Sequence, residues 1–238
     1  MQKNKVHILS TRALGSVLVT KAAQNDVIID EISFINTSQI MNAELQQKID
    51  RLSHKKITAV FTSINAVEAV SKFITTKISW KIFCTDATTK KMVNKIFGEQ
   101  NIYATAGNAG QLAEKIIENS FIKSVVFFCG DQRRNELPDT LKSKGIEVEE
   151  LIVYKTIETP AILSKQYDGI LFFSPSAVQS FLSKNCIAAQ TQVFAIGTTT
   201  ANAVKPFTRQ PVIISPKPAK ESLVHLAIMH FSKAKFIK

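Results

Sequence analysis

Phe61-Thr62-Ser63-Ile64-Asn65-Ala66-Val67 and Phe172-Phe173-Ser174-Pro175-Ser176-Ala177-Val178 stand 111 residues apart in a chain of 238. Each passes from an aromatic residue through a hydroxyl-bearing turn into Ala-Val. At the same offset Ala87-Thr88-Thr89 faces Thr198-Thr199-Thr200, and Leu112 faces Leu223. One short match carries no weight, but three collinear matches argue for two copies of one structural unit.

Outward from these anchors, short apolar runs alternate with amphipathic stretches. Strands are expected at Val6–Leu9, Val27–Ile35, Ile57–Phe61, Lys81–Phe83, Ile102–Tyr103, Ser124–Phe128, Ile146–Thr156, Gly169–Phe173, Gln192–Ile196 and Val212–Ile214. Helices fall between most of them. Leu14, Val17, Leu18 and Ala22 mark one apolar face, and Leu112, Ala113, Ile116 and Ile117 another. Runs such as Ser124-Val125-Val126-Phe127-Phe128 read as strands buried on both sides, hence parallel sheets covered by helices. The two copies are not simply in tandem. The second lacks one strand–helix unit, which residues 5–25 would supply. The fold class is therefore α/β, with two similar flavodoxin-like parallel-sheet domains, one inserted in the other and joined by a two-stranded β hinge. Residues 1–30 and 159–238 would form the discontinuous terminal domain and residues 37–149 the inserted one. Residues 31–36 and 150–158 would be the linker.

Composition narrows the function. Apolar residues make up 45% and charged residues 21%, both ordinary for a globular chain. No apolar run approaches the roughly 18 residues of a membrane helix. The basic start Met1-Gln2-Lys3-Asn4-Lys5 is followed only by Val6-His7-Ile8-Leu9, too short for a signal peptide. A cytoplasmic protein is expected. Cys84, Cys129 and Cys186 are scattered, which suits buried thiols in a reducing compartment, and His7, His54, His225 and His230 lack metal-ligand spacing. The net charge of +11 favours an anionic partner. Residues 159–238 hold nine Lys/Arg against Asp168 and Glu221. No basic run exceeds two residues, and no nucleic-acid-binding signature stands out.

In parallel α/β sheets, ligands bind beyond the carboxyl ends of the strands. There this chain places Ser10-Thr11-Arg12, Thr62-Ser63, Thr85 to Thr89, Ser174-Pro175-Ser176 and Gly197 to Thr200. A single Ser or Thr at such a point is an ordinary helix cap worth about 1 kcal/mol. Several together, in two facing domains, would make a cleft of hydroxyls and amides suited to a polyanion.

Ile8-Leu9-Ser10-Thr11-Arg12, Phe61 to Val67, Val153-Tyr154-Lys155-Thr156, Phe172 to Val178 and Ala195-Ile196-Gly197-Thr198-Thr199-Thr200-Ala201 together resemble the pattern of uroporphyrinogen-III synthases. The motifs are individually short. Their order over nearly the whole chain is the specific part. The resemblance implies cyclisation of the linear tetrapyrrole hydroxymethylbilane, with inversion of the last pyrrole ring and loss of water, by a monomer without metal or organic cofactor. Its substrate is a small polycarboxylate, with no nucleic acid or membrane partner. Tyr154 matches the family tyrosine and is the candidate proton donor to the departing hydroxyl; its structural alternative is a strand residue packed between domains. Ser63, Thr88, Ser174, Ser176, Thr199 and Thr200 would bind substrate carboxylates, and Arg12 would be a cationic contact. The chain departs from the family at Thr85-Asp86, where Gly-Asn is common, and at Ala13 and Thr198, where Pro is common. Arg133 and Arg134, after the strand ending at Phe128, offer a carboxylate clamp or an exposed helix start. Gly107-Asn108-Ala109-Gly110 is too sparse for a dinucleotide loop. The competing readings are a non-catalytic two-domain sensor of an anionic metabolite or tetrapyrrole, and a nucleic-acid-binding protein driven by the charge.

Overall fold

The computed structural model describes residues 5–86 and 88–234; residues 1–4 and Ala87, quoted above, lie outside them. The chain divides into two units. Thr37–Thr156 forms one, and the chain up to Asn36 together with the chain from Ile157 onward forms the other.

The flanking unit holds five strands: β1 (Val6–Ser10), β2 (Val27–Glu31), β9 (Gly169–Phe172), β10 (Gln192–Ala195) and β11 (Ile213–Ile214). They lie in the order β11-β10-β9-β1-β2, and every pair is parallel. The second sheet holds β4 (Thr58–Phe61), β5 (Lys81–Thr85), β6 (Ile102–Ala106) and β7 (Ser124–Gly130) of the central unit, with β3 (Ile35–Gln39) and β8 (Glu147–Glu158), whose outer ends run past the unit boundary. Their order is β3-β8-β7-β4-β5-β6, with β8 through β6 parallel. The parallel cores superpose in order if β9, β10, β11, β1 and β2 correspond to β4, β5, β6, β7 and β8. In each core the strand order reverses at one place, between β1 and β9 and between β7 and β4. The repeat is therefore permuted. One copy is continuous in sequence, and the other begins with β1 and β2 and finishes with the last three strands.

Continuous apolar strands are buried on both faces, as their sequence requires. Along β4, Ala59 and Phe61 enter one core cluster and Val60 the other, and β7 sends Val126 and Phe128 one way and Val125 and Phe127 the other. Phe61 stacks on Phe128 at 5.0 Å and Trp80 on Phe128 at 5.5 Å. Each such pair contributes about 0.5–1.5 kcal/mol beyond the area it buries. The flanking unit is layered likewise, with Ile8 and Leu171 on one face and Leu9, Ile170 and Phe172 on the other.

Helices complete the crossovers: α1 (Ser16–Ala23), α2 (Ala43–Ser53), α3 (Ile64–Ser71), α4 (Thr88–Phe97), α5 (Ala109–Ile117), α6 (Glu136–Ser143), α7 (Pro175–Leu182), α8 (Thr198–Val204) and α9 (Lys220–Ala234). The repeat anchors fall on matching elements. Phe61 and Phe172 end β4 and β9, and Leu112 and Leu223 are buried in α5 and α9.

Three expectations need correction. Val27–Ile35 is not one strand but β2 and β3, broken at Ile32 to Phe34, where the Phe34 ring turns into the core against Phe181 at 5.3 Å. Val17 is 79% exposed and faces water rather than the core. Cys186 is an exposed thiol, while Cys84 and Cys129 are buried.

Candidate active site

In the central unit, the point of strand reversal lies between the ends of β7 and β4. β4 ends at Phe61, and Ser63 follows in extended conformation as the N-cap of α3, its Oγ accepting from the Asn65 amide at 3.2 Å. β7 ends at Gly130, opposite Tyr154 on β8. The Tyr154 hydroxyl donates to the same Ser63 Oγ at 3.3 Å. Ser63 thus accepts twice and keeps its own proton for a third partner. Tyr154 is half-buried beside the aromatic core and lines a pocket of about 450 Å³ with Asn65, Glu68 and Lys72. Burial pushes its phenol pKa above the usual value, the Ser63 hydrogen bond opposes this, and Cys129 and Asp131 add to it.

Arg133 does not serve as a free clamp. Its guanidinium pairs with Glu150, which Lys142 also reaches at 2.9 Å. Arg134 is exposed, and Thr88 is exposed at the first position of α4. Asn108 caps α5 by accepting from the Gln111 amide at 2.9 Å, so the Gly107 to Gly110 segment is a loop and cap.

In the flanking unit, the reversal lies between β1 and β9. Thr11, fully buried, donates its hydroxyl to the Leu171 carbonyl at 2.8 Å and locks the end of β1 to β9. Arg12 is exposed, its guanidinium 5.6 Å from the Phe173 ring centre. Ser174 caps α7 by accepting from the Ala177 amide at 3.1 Å, the counterpart of Ser63. Ser176 is buried in the first turn of α7. Thr199 is exposed and Thr200 buried in the first turn of α8. The Ala201 amide is the first in α8 to find a helical carbonyl, that of Gly197. The amides before it lack an intrahelical partner, as at any helix start.

The uroporphyrinogen-III synthase (HemD) family description matches residues 16–225. The chain belongs to the uroporphyrinogen-III synthase family. A curated relative, uroporphyrinogen-III synthase of Saccharomyces cerevisiae, is 28% identical over 144 residues, which is 50% of this chain. The aligned part of the chain spans about half the length of that relative, 52%. Among solved structures, uroporphyrinogen-III synthetase from Helicobacter pylori aligns with TM-score 0.70 at 17% identity, over 94% of this chain and 99% of that one. A mutant uroporphyrinogen III synthase from the extremely thermophilic bacterium Thermus thermophilus aligns with TM-score 0.63 at 11% identity, over 97% and 99%. At these identities the structures speak for the fold, and the family match identifies the chain as a uroporphyrinogen-III synthase relative.

Sequence reasoning missed Gly130 and Glu31. Glu31, at the end of β2, accepts from the Leu14 amide and from the Gly15 amide at 3.3 Å, just ahead of α1. Gly15 has φ +94°, a conformation that favours glycine. Gly15, directly ahead of the amphipathic α1 stretch, is the one sequence signal pointing there. Nothing in the sequence singles out Gly130, because its role depends on a ring across the sheet.

Proposed function

We propose that this protein cyclises hydroxymethylbilane to uroporphyrinogen III, inverting the last pyrrole ring and losing water. The observation that carries this reading is the half-buried Tyr154 hydroxyl at the carboxyl-end switch point, bonded to a helix-capping serine in a member of this family. Loss of the substrate hydroxyl needs a proton as the C–O bond breaks. A phenol with a raised pKa stays protonated across the neutral range, so Tyr154 donates to the leaving oxygen as negative charge develops on it. The Ser63 contact at the start of α3 holds the phenol in place. Once the phenol proton has left, the serine hydroxyl turns its own proton to the phenolate oxygen and stabilises the charge.

The other assigned residues bind. Ser63 and Thr88 in the central unit contact substrate carboxylates, as do Ser174, Ser176, Thr199 and Thr200 in the flanking unit. With Ser176 and Thr200 buried, they contribute mainly through their helix first turns. Arg12 supplies a cation. Much of the rate comes from folding the flexible chain so that the correct pyrrole carbon is attacked, a positioning effect worth up to about 7–11 kcal/mol. The β3/β8 connection between the units serves as the hinge. On this reading the protein is a cytoplasmic monomer that acts on a small polycarboxylate, engages no nucleic acid or membrane surface and uses no cofactor. Among the described residues no cluster of three or more His, Cys, Asp or Glu could hold a metal, and no helix is long and apolar enough to cross a membrane.

The test is to supply hydroxymethylbilane and separate the type I from the type III product. Type III product is expected, with Tyr154→Phe lowering kcat by about 10-fold or more and leaving KM nearly unchanged. Formation of type I alone, together with binding of the linear tetrapyrrole, would establish the sensor instead.

A further inference from the structure

We propose that Gly130 is a positioning residue that, together with a bulge at Val153, aims the Tyr154 ring into the switch-point crevice. The inference rests on the reading of Tyr154 given above and adds the device that places it.

Side chains alternate along a strand, so residues of one parity share a face. On β8 this holds up to Val153. Val148 packs into one core cluster, and Leu151 and Val153 into the other. Tyr154 has the parity of Val148 yet packs with Leu151 and Val153. The register explains the change of phase. Cys129 pairs with Ile152, but Gly130 pairs with Tyr154, so Val153 is an extra residue on β8. A bulge of this kind re-aims the side chain that follows it. The turn after β7 then fixes the redirected strand. The Asp131 amide donates to the Tyr154 carbonyl at 3.2 Å, and the Asp131 carboxylate accepts from the Thr156 amide at 2.9 Å.

The turned ring needs room, and Gly130 supplies it. A Cβ on Gly130 would lie 2.4 Å from Tyr154 Cζ, 2.5 Å from Cε2 and 2.8 Å from the hydroxyl oxygen. All three atoms belong to the far end of the tyrosine side chain. Gly130 is not among the glycines with positive φ, so its backbone accepts alanine. A methyl group there therefore displaces the ring and moves the hydroxyl off Ser63, while the sheet itself is left in place.

The full-length protein is compared as parent, Gly130→Ala, Tyr154→Phe and the double variant, with tyrosine labelled at Cζ so that NMR follows the ionisation of Tyr154. Tyr154→Phe assigns the signal. In Gly130→Ala the Tyr154 titration is expected to shift from its parental position, and kcat is expected to fall about 10-fold or more with KM within about threefold. Adding Gly130→Ala to Tyr154→Phe is expected to cost no further activity, because both changes remove the same group. An unchanged titration and unchanged kcat in Gly130→Ala overturn the proposal. A displaced titration with a fully active Tyr154→Phe enzyme keeps Gly130 as the residue that places the ring and rejects the tyrosine as proton donor. Should Gly130→Ala fail to fold, Gly130→Ala with Tyr154→Ala decides. Recovery of the folded state supports a clash with the ring alone, and continued failure overturns the proposal.

Discussion

Ser10 pairs with Glu31 in one sheet as Gly130 pairs with Tyr154 in the other. The two equivalent positions serve different ends. The carboxylate of Glu31 satisfies free amides ahead of a helix, and Tyr154 carries a hydroxyl to a helix cap. The equivalent strand-end position thus carries a polar side chain in both sheets, with different chemistry and a different partner. The cysteines separate equally clearly by environment. Burial pushes Cys84 and Cys129 up to about 11, so neither is a thiolate at neutral pH. Cys186 is exposed. A disulfide reagent at pH 7–8 is therefore expected to label one thiol per chain rapidly, Cys186 by mass spectrometry, and the other two only as fast as the protein opens. Rapid labelling of all three would contradict the buried positions. At this scale the sequence is readable where local chemistry decides. Ser63 and Ser174 announce themselves as caps by standing just before apolar helices. Gly130, the pairing of Arg133 with Glu150 and the exposure of Val17 depend on neighbours distant in sequence, which no local pattern reveals.

Among the elements, the segment between β8 and β9 is held by a polar cluster that the strand pattern does not show. Lys165 pairs with Asp30 of β2 at 2.6 Å, and its ammonium lies 5.1 Å from the Tyr167 ring centre. The Tyr167 hydroxyl also bonds to Asp30, whose field His7 on β1 shares. The hydrogen bond from Lys165 holds Asp30 below the usual carboxylate value despite partial burial. Burial, then Asp30 itself, pushes Tyr167 up to about 12. The signs follow by linkage. Asp30, depressed in the folded state, contributes stability above its ordinary value of 3.8 and loses it as the pH falls below that. Tyr167, raised from 10.0 to about 12, contributes stability below pH 10 and loses it as the pH climbs between those values. Asp30→Asn is expected to flatten the acid limb of a urea-midpoint profile and to weaken the alkaline one, because the carboxylate helps raise Tyr167. Tyr167→Phe should flatten the alkaline limb and also weaken the acid one, because the phenol hydrogen bond helps hold Asp30 down. At neutral pH Asp30→Asn is expected to cost no more than about 1 kcal/mol, since the ion pair is substantially exposed. Parallel acid limbs in parent and Asp30→Asn would remove Asp30 from the linkage. The strands were largely legible because burial on both faces demands unbroken apolar runs. The break between β2 and β3 was not, because Ile32-Ser33-Phe34 keeps the β-type composition of its neighbours while Phe34 turns inward.

For the molecule as a whole, the α/β class followed from apolar strand runs alternating with amphipathic helices, and the presence of two related units from the offset repeat, whose Phe61/Phe172 and Leu112/Leu223 anchors sit at strand ends and buried helix positions. The groups proposed to face the substrate are less legible, since helix capping and anion binding use the same residues at the same places. Charge acts at this larger scale too. The chain carries +11, and among the described residues Lys48–Glu149, Arg133–Glu150, Lys142–Glu150 and Lys165–Asp30 form ion pairs that leave the positive surplus in place. A substrate with many carboxylates, as the proposed function requires, would be drawn in by the long-range field, which raises association rates by about 10–10³-fold and fades with salt. Between about 0.01 M and about 0.15 M salt the Debye length shrinks from about 30 Å to about 8 Å, so steering is lost over most of the approach path. Contacts made after binding are shorter than either length and are screened far less. kcat/KM is therefore expected to fall by about 10-fold over that range while kcat changes less than twofold. Stopped assays at several substrate concentrations, with salt of two different anions at each ionic strength, separate screening from competition by a particular anion. A kcat/KM independent of ionic strength would mean that encounter does not depend on the surplus of lysine and arginine, and that the basic surface serves something other than capture of this substrate.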